Sequence, residues 1–237
     1  MAKKIVLVIV EGKSDEQALG LQLTRYVKPS NLHIEITHGD ITSRDDVDDT
    51  NILSKVCDIV KDFIKDSKER TKFRYKKSDI SEIVHLIDTD GAFVSDEYIV
   101  ENPLATELIY SDTAIEGPSR EAIAARNRQK SSCMRRLAGC KKIWQDIPYR
   151  AFYMSCNLDH VLYDKRGLTD DEKADLSFAF NDRFHANTDG FIEFISHSVF
   201  SVQGSFKETW DFIAKDCHSL ERHTNLGLFF RKDHQGE

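Results

Sequence analysis

No stretch of this sequence stays apolar for the roughly 18–20 residues that a membrane-crossing helix needs. The run from Ile5 to Val10 is too short for the core of a secretory signal and leads straight into Glu11. The expectation is a cytoplasmic protein with no membrane partner. Five cysteines (Cys57, Cys133, Cys140, Cys156, Cys217) include no Cys-x-x-Cys pair. That number and scatter suit reduced packing thiols better than a disulfide framework. Cys217, His218 and His223 lack the second ligand pair that a zinc site requires. There is no Walker-type Gly-x-x-x-x-Gly-Lys-Ser/Thr loop, no internal repeat and no low-complexity segment. An excess of positive charge is missing too: the formal net charge is −7. Free-standing nucleic-acid binders are usually basic, so the balance counts against one unless the cations are concentrated somewhere.

What is present is organised around two apolar runs. Lys4-Ile-Val-Leu-Val-Ile-Val-Glu11-Gly12-Lys13-Ser14-Asp15 and Ile83-Val-His-Leu-Ile-Asp88-Thr-Asp90-Gly91 are both β-branched and both stop at an acidic residue and a glycine. Such a run reads as a buried parallel strand that delivers carboxylates to its carboxyl edge, where open α/β sheets bind ligands. Glu11, Asp88 and Asp90 are therefore expected to converge there and to suit a divalent cation, since neighbouring like charges repel without one. Asp15 is a further candidate ligand, although a place in the first turn of a helix is the plainer explanation of it.

Between the runs, the pattern predicts a helix from about Asp15 to Tyr26, capped by Ser14 with Gln17 and stopped before Pro29. A strand over 33–37, an acidic loop over 40–51 and a helix over about 52–68 follow. The basic stretch to Lys77, with Phe73 and Tyr75 interleaved, suits either a phosphate backbone or a solvated helix end. The order β-α-β-α-β implies right-handed crossovers and a parallel, Rossmann-like sheet flanked by helices.

Residues 91–147 interrupt that order. Ser119 caps a helix expected to run to about Leu137, with Gly139 as its stop. It carries Arg120, Arg126, Arg128, Lys130, Arg135 and Arg136 against Glu121 alone, with Ile123, Met134 and Leu137 as its packing stripe. In an acidic chain, so one-sided a helix points to nucleic-acid contact, and these six cations are the candidate binding residues. A strand over 150–154 leads into a helix capped by Asn157, whose Asp159 and His160 are placed to support the site. Helices over about 170–184, 191–200 and 206–220 follow. Nine aromatics between Phe178 and Phe212 leave room for an exposed docking patch. The residues after Phe230 are polar and expected to fray. The division expected is an α/β domain over 1–165, with a basic helical insertion at about 94–147, and a helical region over 166–237 packed on it.

The Glu11-Gly12 pair and the Asp88-x-Asp90 pair, in their strand contexts, resemble the Toprim family, which occurs in topoisomerases, primases and overcoming-lysogenization-defect (OLD) type nucleases. The resemblance covers residues 4–93 by order and motif. Its Glu-Gly-x-x-Asp form is most similar to the OLD-type and abortive-infection nucleases. The resemblance implies a magnesium- or manganese-dependent hydrolase that cleaves DNA or RNA, tRNA included. Glu11 then has an acid/base or metal role, and Asp88 and Asp90 hold the ion. It also implies a phage-defence effector that works beside a separate ATPase subunit, since the chain has no ATPase of its own. Leu86-Ile-Asp88-Thr-Asp90-Gly91 is similar as well to the first motif of haloacid-dehalogenase-type phosphatases, with Asp88 as nucleophile; Ala92 stands where that family has threonine. A third reading is a non-catalytic nucleic-acid-binding or regulatory subunit.

Overall fold

The computed structural model describes residues 4–231. Apart from Arg231, the tail expected to fray lies outside the described residues. The protein is mixed α/β, with a mostly parallel central sheet flanked by helices. Strand β1 (Ile5–Val10) consists of six apolar residues, every one buried. Helix α1 (Lys13–Val27) follows and presses Ala18, Leu19, Leu23 and Val27 inward. Strand β2 (His33–His38) precedes the acidic loop, in which Asp46 pairs with Arg44 and Lys55. Helix α2 (Ile52–Thr71) buries Val56, Val60 and Phe63 at helical spacing. Strand β3 (Ile80–Asp88) completes the β-α-β-α-β order.

The interruption after β3 is richer than its sequence suggested. Three short strands, β4 (Ile99–Glu101), β5 (Ile109–Tyr110) and β6 (Ile115–Gly117), form a sheet of their own in the order β4-β6-β5. Strands of two or three residues are too short to show alternation, so periodicity could not reveal them. Helix α3 (Arg120–Ala138) then begins where Ser119 predicts, its hydroxyl accepting the Ala122 N–H at 3.3 Å. Strand β7 (Lys142–Ile143) and strand β8 (Ile147–Met154) form an antiparallel pair. Helices α4 (Leu158–Tyr163), α5 (Asp170–Arg183), α6 (Thr188–His197) and α7 (Phe206–Ile213) follow, and a 3-10 turn spans Leu226–Phe230.

The central sheet has the order β2-β1-β3-β8-β7, and β1 pairs in parallel with both β2 and β3. The chain divides into two compact units, one of Met1–Ile87 with Ser132–Ala151 and the other of Asp88–Ser131 with Phe152–Glu237. The chain passes between them three times.

The first unit is held by its strands and by two polar pairs, one buried and one half-buried. His85 Nδ1 lies 2.8 Å from the Tyr149 hydroxyl, and burial pushes the His85 pKa down to about 3. Tyr75 stacks on Phe63 and donates to Glu35 at 2.7 Å. The second unit is held largely by aromatics. Phe180 meets Phe184, Phe191 and Phe194 at centroid distances of 5.0–6.2 Å, and Tyr153 meets Trp210 edge-on at 5.2 Å. Of the nine aromatics from Phe178 to Phe212, Phe178 alone is exposed, at 78%. The others are core or half-buried and form no docking patch among themselves.

Candidate functional site

In the first unit the site begins where β1 ends. Val10 and Ile87 sit near the carboxyl ends of two adjacent parallel strands, so the chain leaves both at the same edge of the sheet. Glu11 follows β1 directly and is half-buried. The helix after it starts two residues earlier than Ser14 suggested. Gly12 takes the cap position, and its N–H is accepted by Asp15 Oδ2 at 3.0 Å. Asp15 thereby satisfies a backbone donor that α1 leaves open, in the turn where the helix dipole favours an anion. Glu16 reaches His38 at 2.9 Å, and Asp40 is exposed.

In the second unit the two aspartates are treated differently. Asp88 Oδ1 accepts the N–H of Leu158, the first residue of α4, at 3.1 Å. Asp90 sits in a left-handed turn at φ +44°, followed by Gly91 at φ +66°. A side chain on Gly91 would press within 2.6–2.7 Å of Leu220 and Ile115, so both the conformation and the space require glycine. The backbone of the turn is anchored on one carbonyl: Ser219 O accepts from Thr89 Oγ1 at 2.6 Å, from Gly91 N at 3.1 Å and from Cys156 N at 3.2 Å.

The Asp90 carboxylate faces α3. Its Oδ2 lies 2.6 Å from Lys130 Nζ and 3.0 Å from Arg126 Nη2, while Arg126 Nη1 donates to the Asp90 carbonyl at 3.1 Å. Asn127 reaches the Gly91 carbonyl at 3.4 Å. Lys130 is 0% exposed and the Asp90 side chain 22%. Burial alone would raise the Asp90 carboxyl, but Lys130 and then Arg126 outweigh it and hold the group below the usual carboxylate range. The same charge and burial push neighbouring acids the other way. Cys156 rises to about 12 through burial first and Asp90 next, and Tyr110 rises for the same two reasons.

The six cations expected to bind nucleic acid therefore separate. Arg120, Arg128, Arg135 and Arg136 are exposed, with Arg120 also donating to the Asp96 carbonyl and Arg128 pairing with Asp96. Arg126 and Lys130 turn inward, and Lys130 as arranged has no surface to offer a ligand. The signal for this was in the sequence. Ile123, Asn127, Lys130, Met134 and Leu137 recur at spacings of three and four, so Asn127 and Lys130 occupy gaps in the apolar stripe. Polar residues on a packing face need partners, which the Asp90–Gly91 turn supplies. The role of Ser219, over a hundred residues away in sequence, left no such mark.

Asp159 pairs with Lys173 at 3.2 Å, and His160 is buried with its pKa pushed down to about 4, first by burial and then by Arg166. His218 Nδ1 meets the Phe212 carbonyl and His223 Nε2 meets Glu221, so both rings are engaged away from Cys217. Among the described residues no three His, Cys, Asp or Glu side chains are grouped to hold a metal ion. Carboxylate oxygens such as those of Glu11 and Asp88 are the donors magnesium takes. Asp90 Oδ2 is already engaged by Lys130 and Arg126 in this arrangement. Compared with protein-family models, curated proteins and solved structures, the chain matches none.

Proposed function

We propose that the protein is a metal-dependent nuclease that hydrolyses phosphodiester bonds in DNA or RNA, with tRNA among its candidate substrates. One observation carries the reading: β1 and β3 are adjacent and parallel, and the chain leaves each of them at an acidic residue on the edge where such sheets bind ligands. Magnesium or manganese, when bound, supplies an activated water and stabilises the leaving oxygen. Glu11 and Asp88 are the carboxylates assigned to that chemistry. Asp90 acts through its neighbours, holding α3 against the turn that follows β3. Arg120, Arg128, Arg135 and Arg136 are the cations assigned to the backbone of the nucleic acid. The resemblance to abortive-infection nucleases extends the proposal to a phage-defence effector held by a separate ATPase subunit.

The test is to incubate the protein, alone and with the product of a neighbouring ATPase gene, with plasmid DNA and total tRNA in Mg²⁺, Mn²⁺ or EDTA. Cleavage should need the ion and disappear in Glu11→Gln and Asp88→Asn. Turnover of a small phosphomonoester that Asp88→Asn abolishes and Glu11→Gln leaves intact would replace the nuclease with a phosphatase. The buried Lys130–Asp90–Arg126 cluster favours a second reading, a non-catalytic binding subunit, because it commits an aspartate of the motif to holding structure. That reading requires nucleic-acid binding with no product under any of these conditions.

A further inference from the structure

At the amino edge of the sheet, opposite the edge that carries Glu11, the first unit holds a cavity of about 520 Å³. That volume lies within the range of pockets that hold small molecules or pieces of larger ones. Lys4 stands just before β1, and Lys76 and Lys77 just before β3; all three line it. Ile80, Ile147 and Pro148 give it an apolar wall, and among the described residues Asp146 is its one acidic lining residue. Lys77 pairs with Asp146 at 2.5 Å and lies 5.3 Å from the centroid of the Trp144 ring. Lys142 stands opposite Pro148 in the β7–β8 pair. It also helps Lys77, the larger influence, to hold the Asp146 carboxyl below its usual range. Near the rim, Asp79 accepts the Lys76 N–H at 2.8 Å. Among the described residues, three lysines thus line the cavity against one aspartate, in a chain whose net charge is −7.

We infer that this cavity seats phosphate groups of the nucleic-acid strand, as a second contact remote from the carboxyl edge; the inference rests on the nuclease or binding reading above. Each ammonium carries three donors. The bonds that Lys4 makes to the Ser78 carbonyl and Lys77 to Asp146 leave both able to meet a phosphate oxygen as well. The apolar wall suits a sugar or base face beside those charges, the combination that sequence-tolerant strand binders use. The geometry also sets a length. β1 has six residues, so at roughly 3.3 Å per residue the two edges of the sheet lie about 20 Å apart. At about 3.4 Å per base pair, about six pairs of duplex span that distance. The ligand that uses both edges is a strand or folded RNA of at least that length, not a dinucleotide.

The test measures binding rather than cleavage, with the full-length protein in EDTA and polyuridylate as the probe, across a series of salt concentrations. Lys4→Glu with Lys76→Glu should weaken binding and lower the slope of log affinity against log salt by about 1.4, at about 0.7 for each single-strand phosphate that is no longer neutralised. Both lysines are exposed, so the melting temperature should hold. If it does not, the milder pair Lys4→Gln and Lys76→Gln gives the same readout. Wild-type binding with an unchanged slope in the variants overturns the inference and leaves the nuclease reading standing. Wild-type protein that binds none of polyuridylate, tRNA and plasmid DNA overturns both. A variant that loses AMP but keeps polyuridylate would make the cavity a free-nucleotide site, which also overturns the inference.

Discussion

Lys130 lies in a position with no exposure, its Nζ against the Asp90 carboxylate that Arg126 also meets. Breaking a buried pair by removing one partner costs about 3–5 kcal/mol, because a charge is left without compensation. Lys130→Met should approach the lower end of that range, since Arg126 still faces Asp90. Asp90→Leu alone should cost more, because it removes the carboxylate from both Lys130 and Arg126. The double variant should recover part of the loss, a coupling that urea denaturation of the single and double variants would measure. His85 offers a second test at this scale. Its pKa is about 3 in the fold, against about 6.5 for an ordinary histidine. Between those values the unfolded chain binds a proton that the folded chain refuses, so stability falls as pH drops from about 6.5 toward 3. One such group contributes up to about 1.4 kcal/mol per pH unit. His85→Gln, which cannot titrate, should flatten the dependence of the denaturation midpoint by about that amount; an unchanged slope would mean that other groups govern acid unfolding.

At the scale of elements, the turn after β3 and helix α3 act as one device. Gly91 and Gly167 have nearly the same φ, +66° and +64°, but a side chain at Gly91 meets Leu220 and Ile115, whereas none of the described atoms lies within 4 Å of one at Gly167. Gly167→Ala should therefore cost only the conformational strain, about 1 kcal/mol. Gly91→Ala should add an overpacking cost of about 1–3 kcal/mol, and thermal melting of the two variants would show the difference. The outer face of α3 should behave independently of that device. Charge reversal at exposed Arg128 and Arg135 should reduce the salt slope of duplex binding by about 0.9 for each phosphate that these arginines neutralise. An unchanged slope would mean that the face is only solvated.

At the scale of the whole molecule, the long periodic elements were legible in the sequence and the arrangements that depend on distant partners were not. β1, β2, β3, α2 and the Ser119 start of α3 announce themselves through apolar period and capping residues. The short sheet β4-β6-β5 has no period to read, and the start of α1 moved because Asp15 capped it from within. The acidic residues of the candidate site were legible as strand ends. That Asp90 would face a lysine and an arginine was only latent, in the gaps of the α3 stripe. The aromatics of the second unit were overread: nine in a short stretch suggested a docking surface, yet their edge-to-face contacts show a core. If an ATPase partner engages the chain, its footprint should include Phe178, and Phe178→Ser should weaken co-purification without lowering the melting temperature. Retained association would place the contact elsewhere.

The strand order has a consequence for synthesis on the ribosome. β3 is complete at Asp88, but its sheet neighbour β8 ends at Met154. At about 5–20 residues per second, the nascent chain waits on the order of 3–13 s with one side of β3 unpaired. An open strand edge of that kind invites pairing with other chains. Nascent chains stalled between the two strands should therefore be the ones most dependent on chaperones, and a protein released early would lack the closing strand.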